Sequence, residues 1–138
     1  MGLEWREQLS VGNDVIDSDH KYLIEIINRV EASVERNNRE ELTLALDNLS
    51  RYSISHFSTE EKIAGAVGYP QAPRLHESHA ELLVRLGQLR EELGEGWTPA
   101  SVERFTGLLR DWLLSHVIKE DLLMKPFLTK HSPKFDPR

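Results

Sequence analysis

The chain contains no cysteine, which excludes a disulfide, an iron–sulfur cluster and any thiolate metal site. No apolar run approaches the ~18–20 residues that a helix needs to cross a bilayer, so no membrane-spanning helix is expected. The 17 Lys and Arg are outnumbered by 23 Asp and Glu, and the net charge of −6 disfavours binding to nucleic acid or anionic membranes. Because no signal peptide is recognisable either, we expect a cytoplasmic protein.

Period-two alternation, the mark of half-buried strands, is also missing, whereas apolar residues recur at steps of three and four. This pattern predicts four helices with short connections, and therefore an all-α, up-down-up-down antiparallel four-helix bundle. Residues 1–16 are expected to form an N-terminal arm, and residues 129–138 a loose tail or the start of a linker. The predicted helices cover approximately residues 17–37, 39–67, 73–93 and 99–125.

Polar side chains interrupt the apolar stripe of each predicted helix. His56 and Glu60 share one face of the second helix, while His20, His79 and His116 lie in the other three stripes. A single histidine at such a position is more often a hydrogen-bonded core residue. Burying four imidazoles costs free energy unless each has a partner, and a shared metal would satisfy all four. Nitrogen and carboxylate ligands without sulfur favour iron, manganese or zinc, and their number favours two metal ions.

Asp121 follows His116 by five residues, which places the two side chains about 140° apart on a regular helix. Three interpretations remain open. A widened π-type turn would bring them together, the two would approach a two-metal centre from different sides, or Asp121 belongs to an exposed charged run. Tyr52, one turn before His56, either packs in the bundle or serves redox chemistry near the metal. Glu61 fits an exposed glutamate at the helix edge.

Three segments, taken together and in this order, give the chain a specific resemblance to the hemerythrin family, and to the bacterial hemerythrins in particular. The resemblance extends over nearly the whole chain, as a single domain over residues 1–138. It implies a non-haem centre of two oxo- or hydroxo-bridged irons that binds O2, in a carrier, a store or an O2/redox sensor. The segments are Ile16-Asp17-Ser18-Asp19-His20, His56-Phe57-Ser58-Thr59-Glu60-Glu61 and His116-Val117-Ile118-Lys119-Glu120-Asp121, with Trp5, Gly68-Tyr69-Pro70 and His79 as further matches.

The resemblance also assigns roles to individual residues. It implies that His20 and His56 hold the iron that binds O2, and that His79 and His116 hold the other. Glu60 and Asp121 would bridge the two irons. The positions that line the family's ligand pocket are Leu23, Phe57, Trp112 and Leu113.

One ligand of the family pattern has no counterpart here, because Leu75 stands where the family carries a histidine. His76 stands next to it. Either the ligand is lost, or a shifted helix start lets His76 coordinate the metal. Leu75 continues the apolar stripe while His76 lies about 100° away, which favours the lost ligand.

A lost ligand would leave both irons with an exchangeable position, which should favour autoxidation over reversible O2 carriage. The alternative function is therefore a di-iron oxidoreductase acting on peroxide or nitric oxide. A third interpretation, a structural bundle with a vestigial metal site, is disfavoured because six of the seven family ligands are present. The expected ligand is thus O2, another small diatomic molecule or peroxide. A sensing role would need a fused or partner signalling domain.

Overall fold

Four long helices dominate the computed structural model of the chain, which describes residues 2–93 and 98–138. Helix α1 spans Asp14–Glu35, α2 spans Arg39–Ala66, α3 spans Ala72–Leu93 and α4 spans Pro99–Asp111. Helix α1 packs on α2, α2 on α3, α3 on α4, and α4 packs back on α1. This closed order is the predicted all-α four-helix bundle. Over the described ranges, no strand occurs and no helix is long and apolar enough to cross a membrane.

The last helical region changes its geometry beyond the end of α4. The sequence predicts one continuous helix over residues 99–125. The structure instead continues as a widened π-helical segment over Trp112–Ile118 and then as a short helix α5 over Lys119–Asp121. A 3₁₀ turn at Leu122–Met124 and a final short helix α6 at Lys125–Leu128 complete the region. Widened turns of this kind change the direction in which successive side chains point, and they are frequent at functional sites.

Asn13 sets the start of the first helix three residues before the predicted position. Its side-chain oxygen accepts hydrogen bonds from the backbone N–H groups of Val15 and Ile16, both at 3.1 Å. An asparagine that accepts from the free N–H groups of the first turn is a favoured helix cap. The preceding Gly12 has φ = 82°, a left-handed conformation that glycine adopts with little strain.

The C-terminal residues pack against this same cap. The backbone N–H of Asp14 donates to the carbonyl of Pro133 at 2.7 Å, and the amide of Asn13 donates to the carbonyl of Phe135 at 2.9 Å. The sequence predicts a loose tail over 129–138, but the structure joins this segment to the beginning of α1.

Two apolar clusters fill the bundle, and a polar layer separates them. On each of the four helical regions, one polar residue lies a single turn from a member of the larger cluster and a single turn from a member of the smaller one. The polar residues are His20, Glu60, His79 and Asp121. In the same order, their neighbours in the larger cluster are Leu23, Phe57, Leu82 and Ile118. Their neighbours in the smaller cluster are Ile16, Ile63, Leu75 and Met124.

Candidate metal centre

Four buried polar side chains converge in the layer between the two apolar clusters. His20, His56, Glu60 and Asp121 each offer one ligand atom, and these atoms all lie within 4.8 Å of one another. Nε2 of His20 lies 2.7 Å from Oδ2 of Asp121, and Nε2 of His56 lies 3.0 Å from Oε2 of Glu60. We call these residues the four-residue group. It joins the first, second and last helical regions of the bundle.

His79 brings a third imidazole to the edge of this group. Its Nε2 lies 3.2 Å from Oε1 of Glu60, and its Nδ1 lies 3.0 Å from Oε2 of Glu61. The ring of Phe57 stacks on the imidazole, with centroids 4.1 Å apart and planes 10° apart. The imidazole of His79 is thus fixed on three sides, with Nε2 directed at Glu60.

The electrostatics of the layer show that it attracts positive charge. Burial and the neighbouring Asp121 raise the pKa of Glu60. Burial alone would raise the pKa of Asp121, but its neighbours Glu60, His20 and His56 hold that pKa well below its ordinary value. Burial alone would lower the pKa values of His56 and His79, but hydrogen bonding and the charge of Glu60 raise both. The carboxylates of this layer stabilise the protons on His56 and His79, and they would stabilise a metal cation in the same way.

Two ligand atoms that face each other favour a cation as the species that the four-residue group binds. Within the described part of the chain, Nε2 of His56 and Oε2 of Glu60 are buried and have no hydrogen-bond partner, although only 3.0 Å separates them. A buried polar atom without a partner is costly, and a cation between the two would satisfy both. Imidazole nitrogens combined with carboxylate oxygens are a donor set that iron accepts. The residues present therefore fit a non-haem metal.

The structure does not bring His116 to this group. Its side chain is 57% exposed, and its Nε2 lies 3.3 Å from Oδ2 of Asp111. The π-type turn considered from the sequence is present, but the side chains that it directs into the bundle are apolar, and His116 points outward. In this geometry the five-residue spacing leaves Asp121 inside and His116 outside, so the role of His116 as a ligand stays a prediction. The buried side chains of the segment are Trp112, Leu113, Val117 and Ile118.

Leu75 and His76 lie in opposite environments. Leu75 is 1% exposed and packs in the smaller apolar cluster beside the polar layer. The imidazole of His76 is 73% exposed, and its Nδ1 contacts Oε1 of Glu61 rather than any member of the four-residue group. This arrangement supports a lost ligand over coordination by His76.

The four residues predicted to line a ligand pocket are buried in the larger apolar cluster, on one side of the polar layer. The ring of Phe57 lies 5.7 Å from that of His56 and 6.4 Å from that of Trp112. Nε1 of Trp112 donates to the carbonyl of Leu82 at 2.9 Å, which fixes the indole between helices. Leu23 and Leu113, both fully buried, complete an apolar wall.

Two carboxylates that were not predicted as site residues contact the imidazoles from behind. Asp19 pairs with Nδ1 of His56, and Glu61 pairs with Nδ1 of His79. The expectation that Glu61 is only an exposed helix-edge residue is wrong, because its carboxylate joins two histidines of α3. A usable signal exists, since each carboxylate is adjacent in sequence to a predicted ligand and points about 100° off the apolar stripe, toward the next helix.

Comparison with known proteins agrees with this geometry. The family model of the hemerythrin HHE cation binding domain matches residues 11–128. The chain is 27% identical over 135 residues to the bacteriohemerythrin of Stenotrophomonas maltophilia (strain R551-3), covering 96% of this chain and 86% of the relative. It is 30% identical over 120 residues to the bacteriohemerythrin of Pseudomonas aeruginosa (strain LESB58), covering 86% and 76%.

Solved structures show the same bundle. The crystal structure of wild-type hemerythrin superposes with a TM-score of 0.77 at 26% identity, covering 92% of this chain and 98% of that one. A point variant of hemerythrin superposes with a TM-score of 0.79, covering 94% and 99%. The polar layer, the family model and the shared fold agree, and the chain belongs to the hemerythrin family.

Proposed function

We propose that this chain binds O2 at a non-haem iron centre that has two unequal metal positions. The observation that carries the proposal is the four-residue group, buried between two apolar clusters in a bundle of the hemerythrin family. Iron bound there would supply the electrons that reversible O2 binding requires. The protein's part is to hold the ligands, exclude water and limit access.

The first metal position would be held by all members of the four-residue group. His20 and His56 each present Nε2 to the carboxylates of Glu60 and Asp121, at distances between 2.7 and 3.9 Å. Both imidazoles are buried, so that they are held in place before a metal arrives. Carboxylates with two oxygens each are suited to bridge a second ion.

The second position has fewer ligands from the chain. His79 reaches Glu60 from the far side, but Leu75 stands where the family pattern has a histidine, and the side chain of His116 lies outside. A metal ion with fewer protein ligands is held less tightly and leaves more of its coordination sphere open to small molecules. We therefore expect weaker iron binding and faster autoxidation than in a complete site.

The apolar wall formed by Leu23, Phe57, Trp112 and Leu113 shapes the chemistry on one side of the polar layer, where Phe57 lies against the rings of both His56 and His79. These side chains are at most 2% exposed, so they exclude water from that side of the layer. A dry wall restricts the delivery of protons, which favours release of O2 over its reduction. This feature supports O2 binding over turnover of peroxide or nitric oxide.

The proposal is tested by cycling the reduced, iron-loaded protein between anaerobic buffer and air while its ultraviolet–visible spectrum is recorded. We expect a spectral change that depends on O2 and is lost progressively over repeated cycles. A protein that binds iron but shows no response to O2 would contradict the proposal. A response that is fully stable over many cycles would contradict the second open position. Faster steady-state consumption of peroxide or nitric oxide than of O2 would favour the oxidoreductase.

A further inference from the structure

A carboxylate from α1 holds the imidazole of His56 from behind. Asp19 immediately precedes His20, and its Oδ2 lies 2.9 Å from Nδ1 of His56 on α2. The imidazole is completely buried, whereas the carboxylate is 20% exposed. Asp19 thus lies between the metal layer and the surface, outside the four-residue group.

The second oxygen of Asp19 is also occupied. The hydroxyl of Tyr52 donates to Oδ1 of Asp19 at 2.7 Å. The ring of Tyr52 packs edge-on against that of Tyr22, with centroids 4.5 Å apart and planes at 66°. Because both oxygens accept a hydrogen bond from α2, the carboxylate has little freedom to rotate. Tyr52 therefore packs in the bundle and also contacts the carboxylate behind His56, while redox chemistry at this residue stays a prediction.

The hydrogen bond from His56 decides which ring nitrogen is free. An ionised carboxylate can only accept, so Nδ1 of His56 carries the hydrogen. A neutral imidazole then has its lone pair on Nε2, which lies 3.0 Å from Glu60 and 3.8 Å from Asp121. A carboxylate behind a histidine ligand commonly fixes the ring and raises the basicity of the donor nitrogen.

We propose that Asp19 is a positioning residue for the metal ligand His56, and that Tyr52 fixes Asp19 in the orientation this role needs. The inference rests on the proposed function only in that the four-residue group binds a metal ion. It does not depend on O2 binding. We therefore expect Asp19 and Tyr52 to increase the metal affinity of the site, although neither side chain contacts the metal.

The test uses Co²⁺ as the probe, added to the metal-free full chain and followed by its visible ligand-field spectrum. In Asp19→Asn, the amide turns an N–H group toward either Tyr52 or His56, so one of the two hydrogen bonds that Asp19 accepts is disturbed. We expect Co²⁺ affinity to fall by roughly 10–100-fold, with an altered ligand-field spectrum for the metal that still binds. Tyr52→Phe should cause a smaller loss, and Asp19→Glu should recover part of the affinity. Asp14→Asn, the same change at an exposed residue of the same helix, is the matched control.

Several outcomes decide the question. Folded Asp19→Asn and Tyr52→Phe proteins with wild-type affinity and spectrum would overturn the inference. If Asp19→Asn fails to fold, Tyr52→Phe decides alone, and an unchanged spectrum and affinity overturn it. A wild-type chain that binds neither Co²⁺ nor Fe²⁺ would instead contradict the proposed function. An equal loss of affinity in Asp14→Asn would show a general effect of charge, and would also overturn the inference.

Discussion

His20 and Asp121 stand 101 positions apart in the sequence, yet Nε2 of His20 lies 2.7 Å from Oδ2 of Asp121. This contact joins the first helix to the last helical region in the middle of the bundle. His56 and Glu60 add the second helix, and His79 adds the third. A metal ion at this point would link elements that are distant in sequence, so metal binding and stability should be coupled.

Removing a carboxylate from the four-residue group should abolish tight iron binding. In Glu60→Gln and Asp121→Asn, an amide replaces a buried anion that the cation needs, so we expect the loss to exceed the roughly 10–100-fold typical of residues behind the ligands. Glu77→Gln, at an exposed position of α3, should retain its iron. Iron content after desalting, measured beside wild type, checks this. Retention of iron by both carboxylate variants would mean that the metal lies elsewhere.

Leu75→His should strengthen the weaker metal position. It restores an imidazole one turn before His79, at the position where the family carries one, so we expect a second equivalent of iron to bind more tightly. Leu75→Met, which keeps an apolar side chain of similar volume, should leave the affinity unchanged. Titration of the metal-free proteins with Fe²⁺ under anaerobic conditions distinguishes them. Identical isotherms from folded Leu75→His and wild-type proteins would contradict the lost-ligand interpretation.

His116→Ala should have little effect on the first iron equivalent. The side chain is exposed and pairs with Asp111, outside the four-residue group. His131→Ala, at another exposed histidine, is the control. Iron content and the ferric absorption spectrum are the readouts. A loss as large as that in Glu60→Gln would show that the π-helical segment rearranges on metal binding and that His116 is a ligand.

Iron binding should displace protons at neutral pH. The charge of Glu60 and hydrogen bonding raise the pKa values of His56 and His79 despite their burial. In the metal-free protein, both imidazoles therefore stay protonated at pH values above the ordinary histidine pKa of about 6.5. A metal ion needs the neutral imidazole, and affinity should therefore fall as the pH is lowered through those raised values. Titration in weakly buffered solution with a pH indicator measures the release. Metal binding at pH 7 without proton release would contradict these pKa shifts.

Gly12 and Gly87 should respond in opposite ways to replacement by alanine. Gly12 has φ = 82°, and a Cβ there would lie 2.8 Å from Cγ2 of Thr129. We expect Gly12→Ala to destabilise the protein by about 1–3 kcal/mol. Gly87 lies within α3 with open space around it, so Gly87→Ala should stabilise by up to about 1 kcal/mol. Urea unfolding of both variants decides. Equal stabilities would indicate that the turn before α1 is not constrained.

The bundle itself could be predicted because apolar periodicity reports which face of each helix is buried. Histidines within an apolar stripe similarly indicated the polar layer, since His20 and His56 interrupt the pattern where a core residue is expected. The position of Asp121 could not be derived from a regular helix. Its burial depends on a π-helical segment, which apolar periodicity alone does not predict.

Other features depend on contacts between distant segments. Asp19 and Glu61 each look like an exposed charge when only their own helix is considered, and their partners lie on the next helix. The C-terminal contacts use backbone carbonyls of Pro133 and Phe135, which have no signature in the sequence. In both cases the partner is selected by tertiary packing rather than by local pattern.

The most direct test of an iron centre with two unequal positions is an anaerobic Fe²⁺ titration of the metal-free chain against a competing chelator. We expect two separate steps, with the first equivalent of Fe²⁺ bound tightly by the four-residue group and the second bound more weakly beside Leu75. Two equivalents of equal affinity, or no saturable binding at all, would contradict it.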